Sequence, residues 1–353
     1  MTLGTTHLRE LTSKLEAGGG KILVIQTAFF GDVILLTPLL RAIKKAFPAS
    51  SITALTIPET ASLLREWVDE TITFDKRDRN QKSANWNSLV AQIRSERFDL
   101  ALVPHRSLRS GITAWKGGIS FRIGFDRSAG SWFHSLKVPY PFGLYEGSRN
   151  LELLRSLAEV TDDGLPALHP PPEDTRLVDA LLESLDLQHR KFVVIASASV
   201  WLTKRWPSRF YRSLSQNLAD RYQLPTVSVG SVADADQCSN TVVRPEYNLA
   251  GRLTLLQTCA LMTRARLVVS GDSAPAHLAT AAGVNQLIIF GSTIPRFGFA
   301  PPVGRARTMG RDLWCRPCTD HGRNLCPNPA GMKCLNGIHP DEVLTRIEDW
   351  VTT

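Results

Sequence analysis

The amino-acid sequence predicts an α/β protein of two Rossmann-like domains facing a central cleft. Three observations carry this expectation. Short apolar, β-branched runs alternate with helical stretches; one proline-rich segment interrupts the alternation midway; and the polar residues that break the pattern fall at the ends of the apolar runs.

In chain order, the first twenty residues, "MTLGTTHLRELTSKLEAGGG", contain acids and no apolar core, so we expect no signal peptide here but a flexible, loosely held extension over 1–20. The first domain, 21–172, opens with "KILVIQTA" (21–28) and a helix-like "LLTPLLRAIKKAF", followed by "SITALTI" (51–57), "ETITF" (70–74) and "FDLALVP" (98–104). Apolar runs of this length without polar alternation fit strands covered on both faces of a parallel sheet. The segment "LPALHPPPEDTRL" (165–177) lacks an apolar period and is the expected linker. A second domain, 173–353, repeats the pattern with "KFVVIASAS" (191–199), a helix after Pro207, "LPTVSVGS" (224–231), "ARLVVSGDS" (265–273) and "NQLIIFGS" (285–292). It ends in a Cys-rich segment, 315–334, and a C-terminal helix that could pack back on the first domain.

Composition bounds the function. With 353 residues, 43% of them apolar and 21% charged, the chain is long enough for two cores, and neither disorder nor a fibrous repeat fits. No apolar stretch reaches the ~20 residues of a membrane span, so a cytoplasmic protein is expected. The formal net charge of +8 suits an anionic partner or simply a basic protein. The basic residues are dispersed, with no block like a nucleic-acid arm, so nucleic acid is not the expected partner. After the first strand "IQTAFFGDVI" offers a single glycine, which excludes the dinucleotide fingerprint, and the phosphate-loop pattern is absent as well.

Ligands of such sheets sit beyond the carboxyl ends of strands, where helix N-termini point. Asp32 stands at one such end, after Gly31; by itself it reads more readily as a helix cap than as a catalytic base, and the catalytic reading needs support from elsewhere in the chain. The later "SGDSAPAHLATAAGVNQLIIFGSTIPR" (270–296) places Asp272 and Ser273 at a strand end, with a helix starting near Pro275, an arrangement suited to a diphosphate. The alternative is an ordinary capped turn with His277 facing the core.

Taken together, "GDVILLTPLL" (31–40), "TKRWP" (203–207), "GDSAPAHLATAAGV" (271–284) and "FGSTIP" (290–295) resemble, in order and spacing from about residue 21 onward, the lipopolysaccharide heptosyltransferases of glycosyltransferase family 9, most nearly heptosyltransferase II. The resemblance implies the glycosyltransferase B fold and an inverting, metal-independent transfer of heptose from ADP-heptose to the inner core of lipopolysaccharide. It also implies peripheral contact with the anionic cytoplasmic face of the inner membrane. Asp32 would then be the general base, Lys204 a phosphate contact assisted by Arg205, and Asp272, Ser273, Ala274, Ala276 and His277 the donor segment, with backbone amides near 273–276 as phosphate donors. Ala274 replaces a glycine common in the family. An acid touching the nucleotide ribose would be Asp234 or Asp236, between which the sequence does not choose. Arg106, Arg109 and Arg122 could meet acceptor phosphates or carboxylates, or be solvated or structural. "GSRNLELLRSLAEV" (147–160) reads as an amphipathic helix devoted to packing. Two rival functions keep parts of these observations: the same fold with another nucleotide-diphosphate sugar, and a zinc-bearing nucleic-acid-binding protein.

Four of the six cysteines, Cys315, Cys318, Cys326 and Cys334, cluster late in the chain. The C-x-x-C half suits a structural zinc or iron–sulfur site, whereas the wider second spacing suits free thiols packing a loop. Cys238 and Cys259 fall in expected helices as small core residues.

Overall fold

A computed structural model of the chain describes residues 5–75 and 82–352. It contains two compact units, Met1–Pro166 and Ala167–Thr353, each built on one parallel sheet. The division falls inside the expected linker. The prolines that suggested a linker lead directly into the helix Pro172–Ser184, with Pro172 in its first turn beside Glu173 and Asp174. A missing N–H costs nothing at that position, and the acids meet the positive end of the helix.

In the first unit the strands are β1 (Lys21–Ile25), β2 (Ser51–Thr56), β3 (Glu70–Thr73), β4 (Leu100–Val103), β5 (Phe121–Phe125) and β6 (Leu136–Val138), in the order β3-β2-β1-β4-β5-β6. Ile22–Ile25 and Leu100–Val103 are buried throughout, as strands covered on both faces must be. From β1 the chain winds outward one way through β2 and β3, and from β4 the other way. The loops leaving β1 and β4 therefore part and leave a crevice at their carboxyl ends. Arg122 and Gly124 interrupt the apolar run of β5, and β6 is three residues long, so neither strand stands out in the sequence.

The second unit holds β7 (Val193–Ala196), β8 (Thr226–Ser228), β9 (Leu267–Gly271), β10 (Asn285–Ile289) and β11 (Ala306–Met309), in the order β11-β10-β9-β7-β8. Its crevice lies between β7 and β9. One core cluster joins Val193, Ile195, Val269, Leu287 and Ile289 of the sheet to Trp206, Tyr211 and Leu214, and to Val343, Ile347 and Val351.

One expectation about the chain ends is corrected. Residues 5–16 form a helix, Thr5–Glu16, rather than a loose extension, because Leu11 and Leu15 are buried and the Leu15 carbonyl accepts from the Ser50 hydroxyl at 2.7 Å; residues 1–4 lie outside the described residues. The C-terminal helix Pro340–Thr352 packs against the helix Ser208–Tyr222 of its own unit, since its apolar stripe completes that unit's core.

Candidate active site

At the crevice of the first unit, Asp32 lies in the short helix Phe30–Ile34, directly beyond β1, and its Oδ2 accepts the Phe29 amide at 3.1 Å. The capping role is therefore real. A carboxylate has about four acceptor positions, so capping does not preclude base chemistry. Across the crevice, in the loop leaving β4, His105 Nδ1 lies 3.2 Å from Thr27 Oγ1 and 3.0 Å from Ser110 Oγ. The adjacent Arg106 guanidinium stacks 4.5 Å over the Tyr140 ring, on which Arg149 also stacks at 4.4 Å. Arg149 is fully buried, pairs with Glu146, and donates to the carbonyls of Pro141 and Leu144. Burial pushes the Glu146 carboxyl above the usual carboxylate range against the pull of Arg149, and the charge of Asp32 pushes it the same way. The two carboxyl groups are thus electrostatic neighbours.

In the second unit Lys204 follows β7 and Asp272 follows β9, one on each side of that crevice. Lys204 Nζ lies 2.7 Å from Asp272 Oδ2, and both side chains are largely buried. The Thr293 hydroxyl donates to the same oxygen at 2.7 Å. The glycines of this region serve the chain itself. A Cβ at Gly271 would stand 2.8 Å from the Lys204 carbonyl, and one at Gly291 would strike that of Thr203. Only bare backbone lets the Lys204 loop cross the ends of β9 and β10. Trp206, 1% exposed, anchors that loop by donating its indole N–H to the Ile338 carbonyl at 3.0 Å.

Ser273 and Ala274 open the helix Ala274–Ala281. Ala274 begins it in ordinary helical geometry, so a glycine is not needed there. Pro275 has no N–H, and the Ala276 amide donates to the Ser273 carbonyl at 2.9 Å. Of the amides near 273–276, only those of Ser273 and Ala274 are left to face a ligand. His277 is 4% exposed; burial drives its imidazole down to about 4, with Lys204 adding to the effect and Asp272 opposing it, so the ring is neutral at pH 7. Among the described residues, Ser273 Oγ and His277 Nδ1 are buried without a hydrogen-bond partner. Orphaned polar atoms clustered at a helix start call for a ligand to satisfy them.

Other expected site residues are placed differently. Arg122 sits near the amino end of β5 and spends its guanidinium on the carbonyls of Phe133, Ile119 and Ser120, which makes it a structural clamp rather than an acceptor contact. Arg109 is exposed on the helix Leu108–Lys116. Arg205 donates to the Ser199 carbonyl at 2.7 Å. Asp234 accepts the Ser231 amide and hydroxyl and caps its own turn, while Asp236 is exposed on the next helix. Thr293, Glu146, Tyr140 and Arg149 were not anticipated. Their partners come from elsewhere in the fold, and only the "FGSTIP" segment pointed towards one of them.

The Cys-rich segment braces this site. Half-buried Arg316 donates to the carbonyls of Gly291 and Thr293, and the Cys318 amide to that of Ser292. Thr203 and Arg323 exchange backbone and hydroxyl hydrogen bonds. Cys315, Cys318, Cys326 and Cys334 line one small cavity together with Arg316 and Lys333. The donor set suits a soft metal in kind. In spacing it does not: among the described residues no three Cys, His, Asp or Glu side chains are grouped as metal ligands. Cys238 and Cys259 are fully buried, as expected.

Comparison with known proteins bears on the family and the fold. The profile of glycosyltransferase family 9 (heptosyltransferase) matches residues 86–327, more than half of the chain. Lipopolysaccharide heptosyltransferase 1 of Pseudomonas aeruginosa is 24% identical over 362 aligned residues, covering 93% of this chain and 97% of that protein. Among solved structures, a family 9 glycosyl transferase from Veillonella parvula superposes with a TM-score of 0.79 at 20% identity, covering 94% of this chain and 97% of that one. The ADP-heptose lps heptosyltransferase II of E. coli gives 0.73 at 21%, covering 94% and 98%. At such identities the structural likeness shows the fold, an α/β architecture of glycosyltransferase B type with two parallel sheets.

Proposed function

Because its family match makes this chain a member of glycosyltransferase family 9, and so a glycosyltransferase, we propose that it transfers heptose from ADP-heptose to the inner core of lipopolysaccharide, inverting the anomeric carbon. The observation that carries the donor reading is the buried Lys204–Asp272–Thr293 cluster beside a helix N-terminus with unsatisfied Ser273 and His277. An acceptor hydroxyl attacks the anomeric carbon while Asp32 takes its proton. The bond from that carbon to the diphosphate oxygen breaks, and ADP leaves with the electron pair. Lys204 and the amides of Ser273 and Ala274 stabilise the charge that builds on the diphosphate. Neutral His277 can donate one hydrogen bond without adding a second cation. Asp272, held by Thr293, fixes Lys204 in place. On the acceptor side, Arg106 is the basic residue best placed to meet an anionic group.

This reading is tested with the purified chain and a panel of nucleotides and nucleotide sugars. ADP and ADP-heptose at about a hundred times Kd should stabilise it by roughly 2.7 kcal/mol, visible as a rise in Tm, and ADP-heptose should be consumed with an inner-core acceptor lacking heptose. A larger shift with UDP- or GDP-sugars and none with ADP would favour another nucleotide-diphosphate sugar. Nothing in the site favours nucleic acid. Peripheral membrane contact at the cytoplasmic face follows from a lipid-linked acceptor; no described helix is long and apolar enough to cross a bilayer.

The chemistry of four thiols lining one cavity also supports a structural metal held by Cys315, Cys318, Cys326 and Cys334, which would have to draw together to bind it. Elemental analysis of protein purified without chelator should find about one equivalent of zinc or iron per chain, lost in Cys318→Ser. Because this segment braces Thr203 and Thr293, the same variant should raise the donor KM. A metal-free protein with full donor affinity would show that the thiols act as packing alone.

A further inference from the structure

Three of the six large apolar side chains exposed among the described residues of the first unit, Leu108, Trp115 and Trp132, lie on two segments that pack together. On the helix Leu108–Lys116, Leu108 and Trp115 are 50% and 51% exposed, with half-buried Ile112 between them; positions i, i+4 and i+7 share one helix face. The turn Ser131–Phe133 packs against this helix, and the contact requires two glycines, since a Cβ at Gly111 would stand 2.6 Å from the Gly130 carbonyl. Through that contact the Phe133 ring comes 5.3 Å from that of Trp115, and the adjacent Trp132 is 88% exposed, nearly all in solvent. Isolated exposed rings need no explanation; a group of them on adjoining segments does.

Its surroundings are basic. Lys116 ends the helix, and Lys137 Nζ lies 5.4 Å from the Trp132 ring centroid. Between residues 100 and 145 the charged side chains are Arg106, Arg109, Lys116, Arg122, Arg127 and Lys137, against one acid, Asp126. This segment supplies much of the net charge of +8. Indole rings beside lysines that pair with no acid among the described residues match an anionic bilayer surface, where rings settle at the headgroup level and cations meet lipid phosphates. The geometry relates the patch to the crevice as well: Ser107 caps the docking helix directly after Arg106, and the Arg106 carbonyl accepts the Ala129 amide at 3.1 Å.

We propose that the exposed face of the helix Leu108–Lys116, together with Trp132 and Phe133, docks this enzyme on anionic phospholipid bilayers. The inference deepens the functional reading above, in which the acceptor is lipid-linked, but its test needs neither donor nor acceptor. Full-length protein is sedimented with vesicles of phosphatidylglycerol and phosphatidylcholine, and with vesicles of phosphatidylcholine alone. Binding should require phosphatidylglycerol and weaken with salt. It should fall at least roughly tenfold in the double variant Lys116→Glu/Lys137→Glu and also fall in Trp132→Ser, while Trp132→Phe retains it. These variants should keep wild-type transfer to a soluble, lipid-free acceptor, which shows that they are folded. Equal binding to both vesicle types, or unchanged binding in the charge-reversed and Trp132→Ser variants, would overturn the proposal. So would a wild-type dimer that Trp132→Ser converts to a monomer, because the face would then belong to a second copy. Absence of heptose transfer with vesicle binding intact would count against the functional reading and leave this one standing.

Discussion

Asp32→Asn will yield a folded protein whose kcat is lower by roughly three orders of magnitude, within the range expected for loss of a general base. The substitution is chosen for what it keeps. Asparagine retains a carbonyl oxygen at the position of Oδ2, so it can still accept the Phe29 amide and cap the short helix beyond β1; the loss of stability should stay within about 1 kcal/mol. What it removes is the capacity to take a proton. Asp32→Ala removes both, and the difference between the two variants in Tm measures the cap alone. Donor KM should change little in either, because the cluster proposed to bind the diphosphate lies on the other unit, at Lys204 and Asp272. Near-normal turnover in Asp32→Asn would reduce Asp32 to a cap and turn attention to its buried neighbour Glu146, whose carboxyl is already pushed up by burial.

How much of this was legible in the sequence depends on where each residue finds its partners. Strands β1, β4, β7, β9 and β10 were visible because each is a contiguous apolar run wholly or largely buried. Strand β11 was not: it carries Arg307, is half-exposed along its length, and borders the sheet. The first helix was missed for a similar reason, since Leu11 and Leu15 are diluted among Thr, Lys and Glu, and only the fold shows that two leucines suffice to hold it. Asp32, Lys204 and Asp272 lie among the polar residues that break the apolar pattern at strand ends, and their roles were named from the resemblance of the segments that hold them. Arg122 met the same criterion of an arginine near a strand, yet it lies at the wrong end of β5, and strand direction relative to the ligand is a property of the sheet. Glu146 and Arg149 hid in a helix whose pattern looked like packing, and Arg149 is packed: it is fully buried and contacts Tyr140 and Glu146. The docking face was invisible for a further reason. Leu108 and Trp115 lie on one segment and Trp132 on another, and the two adjoin only where Gly111 and Gly130 let them pack together.

Lys204→Met carries the other large effect, and it divides catalysis from stability. Lys204 is the cation at the second crevice, and its removal takes away a preorganised charge facing the departing diphosphate, so kcat/KM for the donor should fall by roughly 10²–10³. The same change leaves Asp272, 3% exposed, without its cation and with the Thr293 hydroxyl as the contact that remains. A buried carboxylate stripped of its partner is costly, and unfolding should become easier by on the order of 3 kcal/mol. The double variant Lys204→Met/Asp272→Asn separates the two consequences. Asparagine is uncharged and still accepts from Thr293, so stability should return most of the way while transfer stays low; the coupling between the two sites, read from a double-mutant cycle in Tm and in kcat/KM, should be large in the first and small in the second. If activity returned with stability, the pair would be a structural tie and the diphosphate would have to be held by some other group. If neither returned, Asp272 would have a role of its own towards the ligand, beyond fixing Lys204.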